Sequence, residues 1–447
     1  MSTVDVAVVG AGLSGLVAAY RLRQADADVV VLEAKNRVGG RLLTSPTAAG
    51  AGVDSGGSWV GPGQHAVLGL LDELGIGLVP QFADGVNLLR VRGRTHRYRG
   101  DIPRLRPHEM LDLGRAQWAL DRIARRLGAP PWPPALAARL DEQTLGSWMR
   151  RKVRTAAARL VLDTATAASF GCRPSELSLL GFASQVGGCG GLADLIGVRD
   201  GALASRIAGG AAALPAELAR RLGERVRLGH AVTEIRRSAG LITLVGHDHP
   251  PVYARRVIVA VDPATAGSIT HDPPLPVERA ELQRRWQMGS GIKAHVVYRR
   301  PWWRDHGLTG ATVTDTGTVR LTFDVSPADG PGVLVTFLGL PAGDTPELLS
   351  SDRSAARRRQ VLDDLATLLG PEARDAVDYV EQDWTAEPWQ SGCVPRPPAG
   401  VLHPGHRWLT RPVDGLHWAG AESSYLGEAH MDGAVRAGER AAGEAVT

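Results

Sequence analysis

The sequence predicts an α/β protein in which the two ends of the chain build one domain and an α+β domain is inserted between them. Three observations predict it. A short apolar run at residues 4–9 leads directly into Gly10-Ala11-Gly12-Leu13-Ser14-Gly15, which opens a helical segment reaching about Gln24. A second apolar run at 29–32 ends on Glu33. Far along the chain, residues 416–419 and 431–445 read as one more strand and a closing helix.

The first two runs are β-branched and do not alternate, as expected of parallel strands covered on both faces. Between them, GAGLSG satisfies the G-x-G-x-x-G spacing. Gly10 makes the tight turn, Gly12 lets backbone approach a pyrophosphate, and Gly15 lets the helix pack close to the strand. An acid at the end of the second strand, Glu33, accepts ribose hydroxyls. Strand, glycine turn, helix, strand and acid together specify a dinucleotide site.

Residues 64–75, 110–127, 154–170 and 176–186 have helical spacing, and the prolines of 130–134 make a rigid break. Residues 187–191 read as a glycine loop, and the RIAGG stretch at 206–210 precedes a helix to about Leu222. Strands are expected at 226–228, 231–236, 241–245, 257–261, 292–298 and 319–325, and a helix at 354–369. The dinucleotide domain is expected to comprise 1–79, 206–280 and 388–447, and the inserted substrate domain 81–205 and 281–387.

Composition excludes several classes. Apolar content of 44% and charged content of 22% over 447 residues suit a soluble chain of two or three domains. The net charge is only +4, and clusters such as Arg357-Arg358-Arg359 read as a solvated helix face, so no nucleic-acid partner is expected. No apolar run is long enough for a membrane span, and no anchor is expected. Cys172, Cys189 and Cys393 are odd in number and lack metal spacing, so free thiols, no metal and a cytoplasmic location are expected. Of 51 basic residues only Lys35, Lys152 and Lys293 are lysine, so a lysine within the apolar 292–298 run invites a chemical explanation.

The segment following Glu33 narrows the cofactor. The run EAKNRVGGR, ending on Arg41, resembles the second signature of the flavin-containing amine oxidase family. Its two glycines let backbone lie on the flavin phosphates, and Arg41 supplies charge-assisted bonds to them. The resemblance continues through Gly56-Gly57-Ser58-Trp59-Val60-Gly61-Pro62-Gly63-Gln64, through MGSGIKAHVVYRRPWW at 288–303, through Asp383-Trp384 to Ser391-Gly392-Cys393, and through WAGAE at 418–422 to Met431-Asp432-Gly433. By pattern it is most similar to monoamine oxidases.

The resemblance implies a Rossmann-like (GR2-type) FAD-binding domain and a flavin-dependent oxidation of an amine C–N bond to imine or iminium, with oxygen reduced to hydrogen peroxide. It implies cofactor contacts from Gly57, Ser58, Trp59, Val232, Trp384, Cys393, Glu422 and Met431. Lys293 matches a family lysine that holds a water against flavin N5 and assists oxygen reduction. Trp384 matches a position packed on the flavin ring. Cys393 matches the residue that monoamine oxidases bond to the flavin 8α-methyl, and a free buried thiol is the other reading. Substrate contacts are expected from Gln64, Leu321, Val394 and His430. Arg320 reads as a solvated strand charge.

Two positions depart from the monoamine oxidase pattern. The paired tyrosines in front of the flavin are replaced by Val394 and His430. This puts simple arylalkylamines in doubt and points to a bulkier, secondary or acylated amine of a biosynthetic pathway. The alternative is a desaturase or dehydrogenase, or an L-amino-acid-oxidase-like enzyme. The amino-acid reading lacks its arginine, because Ser58-Trp59 follows the glycine pair. The expected partners are a small amine and O2, and a homodimer is left open.

Overall fold

The unalternating apolar runs become the middle of a sheet. In the computed structural model, which describes residues 3–101, 105–238, 240–338 and 354–446, Thr3–Val9 lies parallel to Val29–Leu32 on one side and to Val252–Val259 on the other. Val226–Arg227 extends the sheet beyond Val29–Leu32, and Leu416–Trp418 pairs in parallel with Val252–Val259. Leu241–Val245, Glu234–Ser238 and Thr270–Asp272 complete it. Strands drawn from three distant stretches of the chain thus share one eight-stranded sheet. The helix Leu13–Gln24 packs against the closing helix Met431–Val446.

A second sheet of seven strands runs in the order Asp378–Asp383, Ile292–Tyr298, Gly332–Leu338, Leu321–Asp324, Leu308–Thr314, Val86–Val91 and Arg94–Tyr98. Ile292–Tyr298 is buried along its whole length, because it is flanked on both edges and covered on both faces. The helix Pro107–Leu127 packs against both Ala156–Phe170 and Leu179–Gly188, and their apolar residues share a core with the first sheet.

The expected helix at 354–369 forms as Ser354–Leu369. Other boundaries differ for local reasons. The helix expected from 176 starts at Leu179, because Ser178 Oγ accepts the Leu180 and Gly181 N–H groups and caps it. It absorbs Gly187 and Gly188 from the expected glycine loop. A Cβ at Gly188 would sit 2.0 Å from the Tyr425 carbonyl oxygen, so only glycine permits this approach. The strand expected at 231–236 begins at Glu234, leaving Val232 in a loop, and that expected at 319–325 is reduced to Leu321–Asp324.

Two charge readings are corrected. Arg357 is 2% exposed and pairs with Glu381 at 2.6 Å, so only Arg358 and Arg359 of that cluster face solvent. Arg320 is buried rather than solvated.

Candidate active site

The glycine turn is built as its spacing requires. Gly10 has a φ of +100°, the left-handed region. A Cβ on Gly15 would lie 2.0 Å from the Gly10 carbonyl oxygen, so the helix sits against the turn as only glycine allows. A Cβ on Gly12 would meet no atom within 4 Å. That open side faces a cavity of about 470 Å³. Glu33 is fixed at the strand end, its carboxylate accepting the Ala11 N–H at 2.7 Å and the Lys35 N–H at 2.9 Å, and it lines the same cavity.

The cavity continues from the glycine turn past Gly39 and Gly40 to the second sheet. Arg41 pairs with the buried Glu422 at 2.6 Å and reaches the Cys393 carbonyl at 3.4 Å. Beyond it, Lys293 Nζ donates to the Gly56 carbonyl at 2.8 Å and to Ser58 Oγ at 2.5 Å. Trp384 Nε1 donates to the Ser55 carbonyl at 2.8 Å. Lysine and tryptophan therefore hold the 55–58 segment from two strand ends. Burial lowers the Lys293 pKa from 10.5 to about 8, although the Asp54 carboxylate opposes the shift. Burial raises the Cys393 thiol, and the charges of Arg41 and Lys293 offset part of that effect.

Most expected site residues meet on this one wall. Gly57, Ser58 and Trp59 line it from the segment after Arg41, and Val232 from the loop ahead of Glu234. Lys293, Leu321 and Trp384 line it from the second sheet. Cys393, Val394, His430 and Met431 line it from the last sixty residues. Gly15 and Glu422 stand behind it, the one against Gly10 and the other against Arg41.

Gln64 stands off the cavity. It is buried one residue before the helix His65–Leu74, whose first N–H groups are capped by the Asp432 carboxylate at 2.7 and 3.1 Å. Arg320 is likewise absent from the wall.

Sequence reasoning missed the far wall. Val161, Thr164, Ala165 and Ala168 come from the Ala156–Phe170 helix, Gln185 from Leu179–Gly188, and Phe323 and Phe337 from the second sheet. Their types are those of ordinary core, so only the arrangement reveals them. His230, Asp262 and Thr265 line the nucleotide end and were also missed.

The residues fit a bound dinucleotide. Gly12 leaves room beside the N-terminus of the Leu13–Gln24 helix. Ser14 Oγ, buried on the same helix, has no hydrogen-bond partner among the described residues. Arg41 and Glu33 stand on either side with the charges that phosphates and ribose hydroxyls require.

A cofactor cradle joined to a buried lysine and an apolar chamber defines a flavin-dependent amine oxidoreductase. The chain belongs to the flavin-containing amine oxidoreductase family, whose sequence profile matches residues 13–446. It is 41% identical over 446 residues to AofH of Mycobacterium tuberculosis, named for a flavin-containing monoamine oxidase, covering 99% of this chain and 96% of that one. It is 33% identical to an L-amino acid dehydrogenase of Synechocystis, covering 99% and 94%. Putrescine oxidase bound to putrescine superposes with a TM-score of 0.94 at 32% identity, covering 100% of this chain and 99% of that one. The protein is thus an FAD-dependent oxidoreductase that acts on amine CH–NH bonds. No helix among the described residues is long and apolar enough to cross a membrane.

Proposed function

We propose that the chain oxidises an amine of bulky apolar body, primary or secondary, with oxygen as final acceptor. The carrying observation is Lys293 Nζ on the wall of the cavity that begins at the glycine turn. When bound, FAD accepts two electrons from the substrate and passes them to O2, giving hydrogen peroxide. The protein residues bind, orient and exclude water. Gly12, Ser14 and the helix N-terminus hold the pyrophosphate, with Arg41 adding charge. Glu33 holds the ribose. Trp384 would supply an apolar wall to the bound flavin, and Trp59, Phe323 and Phe337 would help exclude water from the chamber beyond. Lys293 holds and moves a proton at Nζ through one water.

Charge on the wall supports an amine over an α-amino acid. Among the described lining residues the only arginine is Arg41, which is paired with Glu422, and Lys35 is paired with Glu387 at 2.7 Å. No guanidinium is left to clamp a carboxylate. The test is anaerobic bleaching of the bound flavin by benzylamine, n-hexylamine, cyclohexylamine and a set of L-amino acids, followed by peroxide release on admitting air. Bleaching by amines and release of peroxide are expected. Bleaching by L-amino acids alone would overturn the reading.

Cys393 Sγ lies on the cavity wall beside Arg41 and is assigned here as the point of covalent flavin attachment. Acid-precipitated, washed protein should stay yellow, and Cys393→Ala should release all its flavin to the supernatant. A colourless wild-type pellet rejects the bond. The three free cysteines support a reducing, cytoplasmic setting.

A further inference from the structure

The chain just before the closing helix is bent in an unusual way. Gly427 has a φ of +63° and Ala429 a φ of +64°. A left-handed alanine is sterically costly and marks a place where the surrounding structure dictates the backbone. The bend lets the His430 N–H donate to the Gly427 carbonyl at 2.9 Å and folds the His430 ring back on its own chain. His430 Nδ1 then lies 2.8 Å from the Glu428 backbone carbonyl oxygen.

A carbonyl oxygen only accepts, so Nδ1 must carry the hydrogen. The neutral ring therefore has its lone pair on Nε2. That nitrogen has no protein partner among the described residues, nor is it sealed away as a buried unpaired atom, and its ring lines the cavity. Two further features keep it neutral. Burial depresses its pKa, outweighing the Glu428 carbonyl and the Asp432 charge, which both raise it. The ring also stands at the positive end of the Met431–Val446 helix, which disfavours a second proton.

An amine in water at neutral pH is an ammonium ion, and an ammonium nitrogen has no lone pair to assist loss of the neighbouring hydride. Something must take its proton inside a dry chamber. Val394, Leu321 and Phe337 carry no acceptor. Lys293, ionised below about pH 8, has no lone pair with which to accept and donates to Gly56 and Ser58.

Resting on the amine-oxidase reading, we infer that His430 Nε2, set by the Glu428 carbonyl and the left-handed Ala429, is the acceptor that binds the substrate ammonium and removes its proton. The N–H bond of the ammonium breaks, its electron pair stays on the amine nitrogen, and a new N–H bond forms at Nε2. Because burial and the helix end disfavour an imidazolium, the proton passes on from Nε2 to water rather than resting on the ring. This assigns the substrate class by chemistry: an amine that arrives charged and carries at least one N–H directed at a single neutral acceptor.

The groups near His430 that titrate or carry charge include Glu428 and Asp432 on its own segment, Cys393 and Lys293 across the cavity, and Cys189, Glu422 and Tyr425, which lie near Glu428. Asp432 is held by the Ala66 and Val67 N–H groups and by Arg436, so its carboxylate oxygens are already engaged away from the substrate.

The experiment is stopped-flow flavin reduction in the FAD-loaded enzyme by benzylamine, n-hexylamine and cyclohexylamine from pH 6 to pH 10. Wild type is compared with His430→Phe and His430→Gln, each checked for flavin content and spectrum. His430→Phe should lower the limiting reduction rate at pH 7 by on the order of 100-fold. Its rate should climb about tenfold per pH unit as neutral amine becomes available from solution, while wild type stays nearly flat above neutrality. His430→Gln, which offers an acceptor oxygen without a base, should restore KM but leave the rate at pH 7 low. A His430→Phe rate within about threefold of wild type at pH 7, or variants that change KM with a pH profile parallel to wild type, would overturn the inference while leaving the amine-oxidase reading intact. Wild type reduced by none of the three amines would sink both.

Discussion

Replacing Lys293 by methionine is expected to slow reoxidation of the reduced enzyme by oxygen by on the order of 100-fold, with the rate of reduction by amine changed far less. The reason lies in placement. Lys293 is 5% exposed, held by Gly56 and Ser58, and lines the cavity. Below about pH 8 its head is an ammonium that attracts negative charge developing on oxygen and donates a proton. Because its pKa is lowered, that proton is lost as pH rises through about 8 rather than near 10.5. Wild-type reoxidation should therefore fall across that window, and the methionine variant should show no such step. Stopped-flow mixing of photoreduced enzyme with aerated buffer measures both. An unchanged reoxidation rate in Lys293→Met would remove the lysine from oxygen chemistry.

The second large effect is expected from a pair of glycine substitutions. Gly15→Ala places a methyl group 2.0 Å from the Gly10 carbonyl oxygen and 3.0 Å from the Ala260 Cβ, where neither backbone nor β-carbon can yield. It should destabilise the apoprotein by roughly 3 kcal/mol and abolish FAD retention. Gly12→Ala places its methyl group in open cavity, with a φ of −67° that alanine adopts freely. It should melt like wild-type apoprotein and still retain little FAD, because the methyl group stands where the pyrophosphate must approach. Thermal melts of apoprotein and flavin titrations separate the two. Equal FAD affinity in Gly12→Ala and wild type would show that the phosphates do not lie over Gly12.

The parts of the site that could be read in advance are local. The glycine turn, Glu33 and Arg41 lie within thirty-two residues, and each does a job fixed by its own backbone or charge. Lys293 was legible because lysine is scarce in this chain and its neighbours are apolar. Arg357 was misread because a run of three arginines has the same appearance whether or not one finds a partly buried carboxylate, and Glu381 stands 24 residues away. Gln64 was placed on the cavity by its position at the end of a motif. The fold instead turns the chain into a helix there and uses Asp432, from the opposite end of the sequence, to cap it.

Alone, the sequence determined a dinucleotide cradle of the flavin type, a lysine in an apolar run, and Val394 and His430 where the resemblance expects tyrosines. These are statements about residue type and short-range spacing, which the chain carries before it folds. The tertiary structure decided which helices close the chamber, that Arg41 is paired with Glu422, and which nitrogen of His430 is open to the cavity. Those depend on groups brought together across hundreds of residues and on one left-handed alanine, and no local pattern encodes a backbone angle that packing imposes.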